Sequence, residues 1–150
     1  MALEEMVKLI IVFAILVIFA WLIVRVLTPA ESKTADSFKT LGAEINLLVK
    51  DLKAGEKREI NVPLFMEASY IIGSINAGTS GAPKGCESNP CLLLQRRDDL
   101  KVTNKLKFEN LEFIREGDEY IKTTQSGIIK VNVAAEKTDA GTKVTLKQVS

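Results

Sequence analysis

Leu9-Ile10-Ile11-Val12-Phe13-Ala14-Ile15-Leu16-Val17-Ile18-Phe19-Ala20-Trp21-Leu22-Ile23-Val24-Arg25-Val26-Leu27 is the stretch on which the reading of this chain turns. From Leu9 to Val24 it holds no charged or strongly polar side chain. At 1.5 Å rise per residue a helix over 9–27 spans about 28 Å, close to the hydrocarbon thickness of a bilayer. Arg25 lies near one end, where its long side chain can snorkel to the headgroups, and Trp21 one turn earlier suits the interface. Trp21 and Arg25 are therefore the expected membrane-interface residues. A buried helix of a soluble protein is rarely apolar on every side for this length. A cleaved signal peptide would need a basic n-region and a shorter apolar core. Here Glu4 and Glu5 stand in the flank, 1–8, and Thr28-Pro29-Ala30 is a poor cleavage site. The expectation is a retained transmembrane anchor in contact with the lipid bilayer.

The rest of the chain belongs to a different environment. Of 20 basic and 19 acidic residues, only Lys8, Arg25, Glu4 and Glu5 fall within the first 27, so 18 basic and 17 acidic residues remain. A domain so balanced has no net field to draw in nucleic acid. The doublet Arg96-Arg97 is cancelled at once by Asp98-Asp99.

A helix start is written in Thr28-Pro29-Ala30-Glu31: an N-cap, a proline at the first helical position and the acid of a capping box. Gly55 after Lys50-Asp51-Leu52-Lys53-Ala54 reads as its stop. The expected amphipathic helix, 28–55, carries Phe38, Leu41, Ile45, Leu48 and Leu52 at 3-4-3-4 spacing, one continuous apolar stripe. That stripe either packs on the chain's own sheet or forms a short coiled coil between copies, so these five are also the candidate interface residues.

Beyond Gly55 the period changes to two. Glu59-Ile60-Asn61-Val62, Tyr70-Ile71-Ile72, Cys91-Leu92-Leu93-Leu94, Leu106 with Phe108, Leu111 with Phe113, and Tyr120-Ile121 are strand signals. Residues 128–133 and 143–149 alternate across Asp139-Ala140-Gly141 and predict a hairpin with one buried face. The expected fold class is α+β: an N-terminal transmembrane helix, an amphipathic helix, then six to eight strands over 56–150. Those strands should form a mostly antiparallel sheet or a small sandwich.

Residues 76–90, with Gly78, Gly81, Gly85, Pro83 and Pro90, read as a mobile loop and as the best candidate contact surface. Cys86 and Cys91 lie at its far end. Four intervening residues, Pro90 among them, make a turn that can bring the sulfurs together, and the spacing fits neither a zinc site nor a redox Cys-x-x-Cys. A disulfide is expected if the compartment is oxidising. The literal count of basic residues around the span favours an inward C-terminal domain, but that rule weakens before a long domain. The cysteine pair favours an extracytoplasmic one, and that orientation is adopted.

Catalysis finds no foothold in the residue types. There is no histidine, the commonest general base and metal ligand. No nucleophile elbow, phosphate-binding glycine loop or dinucleotide fingerprint occurs. The expectation is a non-enzymatic binding or structural module with no cofactor and no metal, acting through a protein partner or self-association; the alternative for an inward-facing domain is an accessory subunit of a membrane complex.

Asp36-Ser37-Phe38, Leu52-Lys53-Ala54-Gly55-Glu56, Tyr70-Ile71-Ile72-Gly73, Cys86 and Pro90-Cys91-Leu92 resemble a group of single-pass membrane proteins from small-genome archaea. The resemblance covers about half the chain and implies an apolar N-terminus, a short helix and a β domain with a cysteine hairpin. That group's hairpin has more cysteines than this one, and the resemblance implies architecture without an activity. The plan is also similar to that of type IV pilins, with Glu5 just ahead of the apolar stretch. No basic leader precedes it. The pilin likeness implies a filament subunit assembling through its apolar helix.

Overall fold

The computed structural model describes residues 2–27 and 33–149. It divides into two units, the N-terminal helix and the domain from Lys33 onward. The proposed cap at Thr28, Pro29 and Glu31 lies outside the described residues.

Helix α1 is Ala2–Leu27, so the acidic flank is helical as well. Glu4 and Lys8, one turn apart, pair at 3.1 Å on its exposed first turns. The apolar residues that follow are exposed on all sides, and the helix is long and apolar enough to cross a membrane.

Helix α2 is Lys33–Val49. Phe38, Leu41 and Ile45 are fully buried, and Leu48 and Leu52 nearly so. The five candidate interface residues are thus core residues of their own domain. Of the two readings of the stripe, packing on the chain's own strands is the one observed, and these five side chains are not free for a second copy. The helix also stops earlier than the glycine signal suggests. Asp51 adopts a positive φ of 58° just past the last turn, a conformation short polar side chains tolerate, and it ends α2 there. Gly55, at φ 80°, instead turns the chain into the first strand. Leu52 remains buried in the turn between them.

Eight strands follow among the described residues: β1 Lys57–Met66, β2 Tyr70–Ile75, β3 Cys91–Arg96, β4 Val102–Lys107, β5 Leu111–Arg115, β6 Ile121–Lys122, β7 Gly127–Thr138 and β8 Gly141–Val149. They form two four-stranded sheets, ordered β1-β7-β8-β5 and β4-β3-β2-β6. All pairs are antiparallel except β5 with β8. The expected hairpin is β7–β8, closed by Asp139-Ala140 with Thr138 opposite Gly141. Its inward residues Val131, Val133, Ala135, Val144 and Leu146 are buried, as the alternation requires. The parallel pair arises because β4 belongs to the second sheet and the chain crosses at Asn110 (φ 57°) to the first. There β5 starts beside the start of β8, with Leu111 opposite Thr142.

One hydrophobic core joins both sheets and α2. Helix α2 closes the side where β1 and β4 are the edge strands. Thr34 and Ser37 accept hydrogen bonds from the amides of Glu67 and Phe65, each at 3.0 Å, capping N–H groups on the free edge of β1 and just past its end. Gly42 faces Leu106, and its lack of a side chain lets the helix approach β4. On the opposite side two amide side chains stitch the sheets together. Asn76 takes the Phe113 N–H at 2.8 Å and gives to the Phe113 carbonyl at 3.0 Å. Gln148 takes the Lys122 N–H at 3.1 Å and gives to its carbonyl at 2.8 Å. Each carboxamide thus stands in for one peptide of a missing strand neighbour.

Candidate functional site

The register gives the domain two ends. The first residues of α2 lie by Phe65 and Glu67, with the β6–β7 loop alongside, since the Ala68 amide donates to the Ser126 hydroxyl. At the other end Gly55 meets Lys137, beside the Asp139-Ala140 turn. The 76–90 segment leaves β2 and enters β3 at this second end, away from the residue through which the chain enters α2.

The segment carries its own internal hydrogen bonds. Gly78 donates to the Glu87 carbonyl at 2.9 Å, Ala82 to Thr79 at 3.3 Å and Cys86 to Pro83 at 2.9 Å. Glu87 accepts from the Gly85 amide at 2.8 Å. Its own backbone N–H and that of Gly85 hold its carboxyl below the usual carboxylate range. Lys105 on β4 donates to the Lys84 carbonyl. Cys86 and Cys91 form a disulfide with their Cα atoms 5.9 Å apart. Both are buried, and with Leu93 they form a small second core against Ile75, Ala82 and Val102. Closing so short a loop contributes about 2 kcal/mol in the chain-entropy account. Beside the disulfide an open cleft of about 530 Å³ lies between this segment, Asn110 and the β7–β8 turn. Its walls offer the Ser88 hydroxyl, the Asn89 carboxamide, Glu109 and Lys143 as polar groups.

A second cleft, of about 440 Å³, lies at the β5/β6 side and was not foreseen. Arg115 forms its floor, donating to the carbonyls of Asp118 at 3.2 Å and Ile72 at 3.5 Å. Its Nε is buried without a partner among the described residues. Burial pushes the guanidinium pKa down, while Glu119 and Asp118 oppose that shift. In the sequence, Arg115-Glu116-Gly117-Asp118 reads as a solvated turn, and nothing local marks the arginine as half-buried.

In α1 the Arg25 guanidinium lies 5.0 Å from the centre of the Trp21 ring, so the two expected interface residues form one cation–π pair. Among the described residues no three metal-ligating side chains converge. Compared with known protein families, curated proteins and solved structures, the chain matches none.

Proposed function

We propose that this chain is a single-pass membrane protein whose β domain is a non-enzymatic, extracytoplasmic module that binds a protein or envelope partner through the disulfide-bearing end. The observation that carries the reading is the pairing of an uncovered apolar helix with a buried disulfide in the attached domain. An uncovered helix of this length needs lipid or another apolar surface around it. A disulfide of this kind persists in an oxidising compartment. The contact surface is assigned to residues 76–90 because that segment is tied by its own hydrogen bonds and by the disulfide, and a preorganised surface binds at lower entropic cost.

The uncovered helix supports a second reading as well. Copies of α1 packed together would bury the same apolar surface in a filament, as the pilin-like plan implies. Impermeant maleimide applied to intact cells, with and without prior reduction, tests the first reading. Labelling of Cys86 and Cys91 from outside only after reduction is the expected result. Free thiols reached solely from the inside would sink it. Lipid-free, high-mass filaments released by shearing would replace it with the second.

A further inference from the structure

The two ends of the outer face of the β1-β7-β8-β5 sheet differ. At the disulfide end the register aligns Glu112, Lys143, Glu136 and Lys57 in one row, alternating in charge across all four strands. Such a row is at home in water. The next rows are mixed, Glu59 with Ala134, Thr145 and Ile114, then Asn61 with Asn132 and Lys147. Pro63, Lys130 and Val149 align in one row, and Phe65 faces Ile128 in the next. Ile128 is 75% exposed, more than any other large apolar side chain of the domain. An isolated exposed apolar residue needs no explanation, but Ile128 beside Phe65, with Pro63 and Val149 in the row before, groups apolar side chains at one end of the face.

That end is where the chain arrives from α1. Lys33, the first described residue of the domain, places its ammonium 5.7 Å from the centre of the Phe65 ring. Leu27 is six residues upstream, a reach of about 20 Å even when fully extended. With α1 in a bilayer, chain connectivity alone limits Lys33 to about that distance from Leu27. A lysine beside an aromatic ring, with a second at position 130, is the pairing of charge and apolar surface that suits a phospholipid interface.

We propose that the Phe65/Ile128 end of the domain docks on the lipid headgroup layer, with Ile128 and Phe65 entering the acyl boundary and Lys33 and Lys130 at the phosphates. The proposal rests on the membrane-anchored reading. Docking would stand the strands away from the bilayer and hold residues 76–90 at the far end.

The test uses the full chain in phosphatidylcholine vesicles, with and without phosphatidylglycerol. Nitroxides are placed singly at Ile128→Cys, Ala140→Cys and Ile15→Cys; the native cysteines are bonded and do not compete. Docking puts residue 128 about 5–10 Å into the interface. Collision with a water-soluble nickel chelate should then be several-fold lower at 128 than at 140. Lys33→Glu, which disturbs no core contact, should raise nickel access at 128 in the anionic vesicles, and Phe65→Ser should do so in both. Equal access at 128 and 140, with position 15 protected, would overturn docking and leave anchoring intact. Solvent access at position 15 would overturn both. Protection at 128 that persists in detergent and grows with protein density would assign the surface to a second copy and remove lipid as its occupant.

Discussion

Single side chains make several of this domain's connections between elements. Arg58 is one. Its guanidinium reaches back from β1 to the Lys50 carbonyl at 3.1 Å and the Asp51 carbonyl at 3.5 Å, while Nε binds Glu56 at 2.8 Å. A cation at the carbonyl end of α2 complements its dipole. The sequence suggests Lys50 or Lys53 for that part, because a linear reading looks only within the last turn. Asn76 is the sharper case, since its carboxamide both donates to and accepts from Phe113. In Asn76→Asp one oxygen still accepts the N–H, but the other faces a carbonyl with no proton between them. We expect a loss of about 1–3 kcal/mol, measured by urea unfolding of the full chain in micelles and followed by far-UV circular dichroism. Asn76→Asp as stable as the parent would show that this staple contributes nothing.

Between elements the decisive contact is α2 on β4. At Gly42 a Cβ would collide with Leu106 Cδ1, and the Phe108 ring stands just behind. Gly42→Val should therefore push the helix off the sheet and cost about 1–3 kcal/mol, read in the same unfolding experiment. A gain in stability would mean that Leu106 simply turns aside. The elements themselves were legible to different degrees. Hairpin β7–β8 stands out because strict alternation on both sides of Asp139-Ala140 admits one register. The α2 stripe is equally plain, since a 3-4 spacing has one helical face. The parallel β5–β8 pair is not legible, because it depends on which sheet the chain enters after Asn110, and no local residue encodes that. The Arg115 cleft is hidden for a similar reason: its floor and walls come from three separate stretches of chain. Whether α2 faced its own sheet or a second copy was open in the stripe itself, which only says that one face must be covered.

For the molecule as a whole, the absence of histidine sets the pH response. Nothing in the side-chain inventory has an ordinary pKa between about 5 and 8, so stability should be flat there. On the acid side Glu56 matters. Its carboxyl is held below the usual range by the Lys53 amide and then by Arg58. Glu87 is held low by backbone amides in the same way. A group whose pKa is lower in the folded state stabilises the fold above its unfolded value, and that contribution disappears as pH falls through the folded one. The melting temperature should hold level through neutrality and begin to drop only as pH enters the carboxylate range. A drop already at pH 6–7 would point to a titrating group outside this set.

The two-ended layout of the domain has a mechanical consequence. The strands run lengthwise between Lys33 at one end and the loop closed by Cys86–Cys91 at the other. Tension applied between a partner at that loop and the start of α2 is directed along the strands. Their ladder hydrogen bonds are then sheared together instead of opening one after another, and the disulfide stops the loop from paying out its last residues. The same sheets pulled from one end would unzip bond by bond.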